Sequence, residues 1–446
     1  MPARLQQKPS VHFQSLGCAK NQVDSEVMLG SLVLGGYTIA EDLADAQVAV
    51  VNTCSFIEVA REESIEAILS LAARKQEGEL VALVVAGCLP QRYGRDLARE
   101  LPEVDAFVGT GEFQRIAPIL DEVLEGGGRG VYVDAGRTHL YDEQSPRLLI
   151  GSRHSAYVKI AEGCDRVCAF CAIPGIRGRF QSRTLESVVA EARALGREGV
   201  RELNVVSQDT CSWGKDIYGR PRLPELACAL DRIEGVDWVR LLYLYPSAVT
   251  DALIDVLASG ERVLPYIDVP LQHASDRMLK AMRRGTTPDR QRRLLARVRE
   301  RIPDVVIRTT FIVGFPGETD EDFEELCEFV RESRFDRVGV FRYSDEEGTR
   351  AETLADKVPV GVARARYRHL MELQRDLMRK GLEAHVGRRV RVLVESGSAG
   401  FSTGRLWSQA PEVDGMVLLK GDARVGEMVD ATVTGVRSPD LEAEVT

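Results

Sequence analysis

Three cysteines, Cys164, Cys168 and Cys171, fall within the stretch EGCDRVCAFCAIPG at residues 162–175. The spacing is Cys-x3-Cys-x2-Cys, and no fourth cysteine or histidine follows nearby. Structural zinc prefers a closed shell of four ligands. An iron–sulfur cluster held by three thiolates leaves one iron open, where a small molecule can coordinate and take up an electron. Closely spaced cysteines in a chain without secretory signals suggest metal or catalysis rather than disulfides. The triad directly follows the apolar run AYVKIA, which puts it in the loop at a strand's C-terminal end, where α/β barrels place their chemistry.

A second pattern lies upstream. Cys18 ends VHFQSLGC, Cys54 ends VAVVNTC and Cys88 ends LVALVVAGC. Each sits just past an apolar strand-like run, beside Gly17, Thr53 or Gly87. Parallel strands share one C-terminal edge, so these distant residues converge there. The alternative is three independent buried thiols, a common fate for cysteine. The convergent reading is a second three-cysteine site. Cys211, Cys228 and Cys327 show no comparable pattern, and the last two read as helix core thiols.

The elements that must position these groups follow from periodicity. In the first 140 residues, apolar runs at 11–17, 48–53 and 80–87, with a fourth at 105–113, alternate with helical stretches. In one of these, Ile57, Ile65, Ile68 and Leu69 share a face. This predicts a parallel sheet covered by helices. The polar stretch THLYDEQSPRLLIGSRHS reads as a linker. From Ala156 to about Ser344, six further strand–helix units predict an open, partial (β/α)6 barrel. Residues 361–384 read as one amphipathic helix, and the Gly-broken tail as a small antiparallel β-barrel. The expected domains are 1–140, 150–383 and 384–446, an α/β chain overall.

The 446 residues are 44% apolar and 28% charged, with a net charge of −10. That composition fits a globular protein and argues against a chain that coats nucleic acid non-specifically, though a local basic face is compatible with it. No apolar leader opens the chain and no apolar run reaches membrane-spanning length, which predicts a cytosolic protein with no membrane association.

The Cys-x3-Cys-x2-Cys triad with Phe170 resembles the radical S-adenosylmethionine (SAM) enzymes. Together with SLGCAKNQVDSE, VVNTCSFI, VAGCLPQRY and the terminal barrel, it resembles the methylthiotransferase family across almost the whole chain. That family has a cluster-binding N-terminal domain, a radical SAM domain and a terminal TRAM domain. GCAKNQVDSE and YVKIAEGCDRVCAFCAIPGIRGRFQSR are similar to the branch that modifies an aspartate of small-subunit ribosomal protein S-twelve. The other branch modifies transfer RNA adenosines. From His385 onward, seven Lys and Arg stand against nine Asp and Glu, which suits a basic protein partner better than RNA.

The resemblance implies two 4Fe–4S clusters. One, on Cys164, Cys168 and Cys171, binds SAM and generates a radical. The other, on Cys18, Cys54 and Cys88, carries the sulfur inserted at the aspartate β-carbon. It also implies an electron donor such as flavodoxin or ferredoxin, and S-twelve or an assembling ribosome as partner. Gln208 and Asp209 in VVSQDT, Gln272 and His273 in DVPLQHAS, and Gly314 with Pro316 and Gly317 in RTTFIVGFPGET are candidate SAM contacts, each with an ordinary structural alternative. Arg177 and Arg183 are candidate carboxylate binders. A transfer RNA methylthiotransferase and a zinc-stabilised ribosome-docking protein are the competing readings.

Overall fold

The computed structural model of the chain describes residues 8–134, 140–398 and 400–446. The N-terminal apolar runs form an all-parallel sheet of β1 (Ser10–Ser15), β2 (Thr38–Ala40), β3 (Val48–Thr53), β4 (Ala82–Gly87), β5 (Ala106–Val108) and β6 (Gly130–Tyr132), in the order β2-β1-β3-β4-β5-β6. The central β3 and β4 are buried along their whole length, as a sheet covered on both faces requires. Helices α1 (Ala19–Leu34), α2 (Glu58–Gln76) and α3 (Cys88–Glu100) make the crossovers after β1, β3 and β4.

Helix α2 corrects the expected apolar face. Its buried positions are Ser64, Ile68, Leu71 and Ala72, whereas Ile65 and Leu69 are exposed. The cause is polar. The Ser64 hydroxyl accepts from the Cys54 amide and donates to the Cys54 carbonyl, both at 3.0 Å. That clasp fixes the helix rotation about its axis and turns Ile65 and Leu69 outward.

The central part contains six parallel strands: β7 (Ser155–Lys159), then, past the short antiparallel pair β8 (Ala161–Glu162) and β9 (Gln181–Ser182), β10 (Glu202–Val206), β11 (Trp238–Leu241), β12 (Tyr266–Asp268), β13 (Val306–Val313) and β14 (Arg337–Arg342). They form two three-stranded sheets, linked by a single Val239–Val263 bridge between β11 and the segment leading into β12. Among the described residues no ladder joins β7 to β14, so the barrel is partial, as the six units predict. The β8–β9 pair brackets the loop that carries Cys164, Cys168 and Cys171.

The expected linker is a tightly packed strap; its Thr138 and His139 lie outside the described residues. Tyr141 is buried, and its hydroxyl reaches Glu191 and the Lys159 amide. Arg147 ion-pairs with Glu26 of α1 and with Glu191. The strap passes so close to α1 that a Cβ on Gly30 would lie 2.5 Å from the Pro146 backbone.

After the predicted long helix, Val360–Glu383, the tail closes into a five-stranded barrel of β15 (Arg389–Ser398), β16 (Phe401–Arg405), β17 (Val417–Lys420), β18 (Met428–Arg437) and β19 (Asp440–Val445). All its pairings are antiparallel except β17 with β19. The barrel docks on the central part through buried Arg405, which pairs with Glu202 of β10 and with Glu395. The Tyr266 hydroxyl donates to Asp414 at 2.5 Å. No described helix is long and apolar enough to cross a membrane.

Glu202 is fully buried, which alone would raise its pKa, yet Arg405 and Arg240 hold it down to about 2. Its folded value lies below the ordinary one. The pair's stabilisation is therefore complete above about pH 4.5 and drains away as pH falls toward 2. Arg405→Met strands this carboxylate with one partner and is expected to cost about 3–5 kcal/mol in urea unfolding at pH 7. The deficit is expected to shrink as the unfolding is repeated at lower pH.

Candidate functional site

Each N-terminal cysteine is set by its own strand end. Gly17 and Gly87 precede Cys18 and Cys88 with φ of +98° and +101°, a conformation that favours glycine. A Cβ on Gly17 would press on Cys54 Cβ at 2.9 Å, and one on Gly87 would strike the Asn52 carboxamide oxygen at 2.2 Å. Cys18 then caps α1, Cys54 is clasped by Ser64, and Cys88 opens α3. β1, β3 and β4 are neighbours in one parallel sheet, so Cys18, Cys54 and Cys88 stand at adjacent strand ends on a single edge.

Their environments differ. Cys88 is desolvated and pushed up to about 12, even though Arg177 Nη2 donates to its sulfur at 3.2 Å. Burial, followed by the Cys18 charge, raises Cys54. Around Cys18 burial acts upward too, but the Lys20 and Arg177 cations and the Asn21 and Lys20 amides outweigh it and hold the thiol below its ordinary value. Cys18 is also the solvent-accessible member of the trio.

The second trio lies in the loop between β8 and β9. Gly163 has φ of +78°, and a Cβ there would be 2.2 Å from the Arg179 carbonyl, so the loop folds tightly back on residues 178–179. Burial raises Cys164 to about 11 and Cys171 to about 12. The Arg166 amide points at Cys164 Sγ at 3.4 Å, and buried Arg284 donates to Cys168 Sγ at 3.2 Å. These donors suit sulfur that carries negative charge. All nine cysteines are free. Among the described residues no three His, Cys, Asp or Glu gather around a single-ion position.

One buried network joins the two trios. Arg177 ends the short helix that follows Cys171, and it donates to Asp24 at 2.5 Å, Asn21 at 3.0 Å and Glu162 at 3.3 Å as well as to Cys88. Lys159 of β7 pairs with Asp24 and with Glu162, the latter at 2.6 Å. Desolvation opposes the Glu162 charge, but Lys159 and Arg177 hold its pKa near 2. A second bridge lies beside Cys54. Arg92 donates to Glu346 at 2.7 Å and to the Ser55 carbonyl at 2.9 Å, and Arg61 pairs with the same Glu346.

The remaining candidates stand at strand C-terminal ends. Gln208 donates to Glu162 at 2.6 Å, while its side-chain oxygen is buried without a partner. Asp209 accepts from Arg166 and Ser212 through Oδ2, and its Oδ1 is unpartnered. Gln272, at φ +74°, also keeps a buried oxygen without a partner. His273 is fully buried with both ring nitrogens occupied: Nδ1 accepts from the Ala274 and Ser275 amides, and Nε2 meets Glu318 at 3.1 Å. The Gly314 amide donates to the same Glu318, and a Cβ there would overlap Ala363 at 2.5 Å. Arg183 binds a carboxylate, that of Glu191 in this chain. Sequence reading missed Asp24, Lys159, Ser64, Arg284 and Glu318, whose roles rest on contacts with other elements of the chain. Glu162, immediately before the Gly163–Cys164 turn, carried the most accessible signal.

Cys18 opens on a cavity of about 470 Å³, lined by Gly17, Gln22 and Tyr157 on one side and by Glu395 and Glu412 of the terminal barrel on the other. Glu412 adopts φ of +68°, unusual for a non-glycine residue. Burial and the Glu412 charge both push the Tyr157 hydroxyl above its ordinary pKa.

Comparisons agree with this architecture. Residues 10–109 match the family UPF0004, residues 158–330 the radical SAM superfamily and residues 386–446 the TRAM domain. Among solved structures, the radical SAM methyltransferase TsrM from Kitasatospora setae superimposes with a TM-score of 0.55 over 74% of this chain and 72% of its own, at 16% identity, a likeness of fold. The ribosomal protein uS12 methylthiotransferase RimO of Sorangium cellulosum is 49% identical over 98% of this chain and 90% of its own length. Its namesake from Geobacter sulfurreducens is 47% identical over 98% and 99%. At that identity over nearly the full length, with all three family regions in order, the chain belongs to the RimO family of ribosomal protein uS12 methylthiotransferases.

Proposed function

We propose that the chain methylthiolates the β-carbon of an aspartate in ribosomal protein uS12, using two 4Fe–4S clusters and SAM. The observation that carries this reading is Arg177, which bonds Cys88 of one trio and Glu162 beside the other. Two open three-thiol sites that share one arginine suit a reaction in which one centre activates the substrate and the other delivers sulfur.

The donor sets fit the groups. Six free thiols in two trios suit clusters each with one open iron. SAM offers an ammonium and ribose hydroxyls, all hydrogen-bond donors. The unpartnered buried oxygens of Gln208, Asp209 and Gln272 are acceptors that follow the C-terminal ends of β10 and β12. His273 and Gly314 are assigned positioning roles through Glu318. When bound, a reduced cluster with SAM supplies the one-electron chemistry that takes hydrogen from an unactivated CH2, which no side-chain base can do near neutral pH.

This chain's residues supply the rest. Arg284 and the Arg166 amide stabilise charge on the triad sulfurs, and Arg177 does so at Cys88. The strap and the barrel wall screen the Cys18 cavity. Glu395 and Glu412 there suit a basic segment of a ribosomal protein, which favours uS12 over transfer RNA. A soluble one-electron carrier such as flavodoxin or ferredoxin supplies electrons in the cytoplasm.

Anaerobically reconstituted protein is expected to hold about eight irons, and Cys88→Ala or Cys168→Ala about four. Mass spectrometry of uS12 from a deletion strain complemented with either variant is expected to show no methylthio-aspartate. A modification lost only from transfer RNA, or a colourless zinc protein, would refute the reading. Gln272→Ala removes an acceptor and is expected to raise the SAM Kd about tenfold or more, measured by calorimetry. An unchanged Kd removes Gln272 from the site.

A further inference from the structure

We propose that the Lys20 ammonium binds the γ-carboxylate of the aspartate that is modified, which makes Lys20 the residue that selects an acidic side chain for the reaction. This rests on the uS12 reading above.

Lys20 lies in the first turn of α1, two residues from Cys18 and one turn before Asp24. Residues four apart share a helix face, so Lys20 and Asp24 both face the central part, where Asp24 meets Lys159 of β7. The Lys20 ammonium stands 3.3 Å from the centre of the Tyr243 ring. Tyr243 follows β11, whose neighbours are β10 and the segment leading into β12. Gln208 and Asp209 follow β10, and Gln272 follows β12. The C-terminal strand ends of such a barrel carry its chemistry. Lys20 thus reaches from the N-terminal sheet to the barrel end, over the strand that lies between those presenting the candidate SAM acceptors.

Its charge is unmatched there. Lys20 is only 8% exposed, and among the described residues no carboxylate lies within ion-pair distance of its nitrogen. The buried carboxylates at this junction are held by other cations: Asp24 and Glu162 by Lys159 and Arg177, Asp209 by Arg166, and Asp268 by Arg308. Four anions face four cations, and Lys20 is one cation more. Arg177 donates to Cys88 and Arg284 to Cys168, whereas among the described residues no sulfur accepts from Lys20. A ring face offsets part of the cost of burying an ammonium, and a carboxylate offsets more.

The platform beneath the ammonium is strained. Tyr243 has φ of +59°, uncommon for a bulky side chain. Its amide donates to Asp268 Oδ2 at 2.9 Å, and its carbonyl accepts from the Thr210 amide at 3.3 Å. Strain persists where surrounding contacts over-determine it, and it collects at ligand sites.

The occupant follows from the chemistry. An aspartate carboxylate is bonded directly to the β-carbon that is to react, so a cation on the carboxylate positions the CH2 one bond away. Arg177 and Arg183 are engaged by carboxylates of this chain, which leaves Lys20 for that of the substrate. An adenine base offers no anion beside its reacting carbon.

The test compares binding of native uS12 and of uS12 with Asp→Asn at the target position to anaerobic holoenzyme with SAM. The unsubstituted enzyme is expected to bind the aspartate form about tenfold more tightly. Lys20→Met is expected to bind both forms alike, at the weaker Kd, while retaining about eight irons. Lys20→Arg keeps the charge and is expected to recover part of the preference. A preference that survives intact in Lys20→Met overturns the assignment, as does equal binding of the two forms by the unsubstituted enzyme. A fall to about four irons in Lys20→Met also overturns it, by making the ammonium the counter-charge of the Cys18 cluster. Absence of methylthio-aspartate from native uS12 after turnover of the unsubstituted enzyme would instead overturn the functional reading beneath it.

Discussion

A charge taken out of water must find its counter-charge. Asp24, Lys159, Glu162 and Arg177 are all almost fully buried, two anions against two cations, at the junction of the N-terminal sheet and the central barrel. Removing one partner from such a cluster strands another charge, at a cost of about 3–5 kcal/mol. The cluster therefore tolerates little sliding of one sheet edge past the other. Because Cys18, Cys54 and Cys88 end strands of one sheet, and Cys164, Cys168 and Cys171 follow a strand of the other, the network sets the separation of the two thiol trios.

Local conformation does the finer placement. Left-handed glycines at 17, 87 and 163 let the backbone turn sharply just before a cysteine. Polar clasps hold other parts of the two sites: Ser64 on Cys54, Arg284 on Cys168, and the Arg92–Glu346 pair beside Ser55. The terminal barrel is tied down by its own buried pair, Arg405 with Glu202, and it presents Glu395 and Glu412 across the Cys18 cavity.

The cysteines were legible in the sequence because each follows an apolar run with a turn-forming neighbour, a local signal. The six central strands, the long helix at Val360–Glu383 and the tail barrel were legible for the same reason. What escaped depends on distant partners. The face of α2 is set by Ser64 reaching back to Cys54, which no apolar periodicity reports. The edge strands Thr38–Ala40 and Gly130–Tyr132 are too short to carry a period. Arg177 and Arg183 had the expected chemistry, but the carboxylates they bind belong to this chain, more than 150 residues away along it in the case of Asp24.

The most direct measurement is a double-mutant cycle between Asp24 and Arg177, with Asp24→Asn, Arg177→Met and the pair compared by urea unfolding of the metal-free chain. If the network locks the two sheets, the coupling energy is expected to exceed about 1.5 kcal/mol. Additive effects, within about 0.5 kcal/mol, would mean that the sheets are held by something else, and the shared placement of the two thiol sites would lose its physical basis.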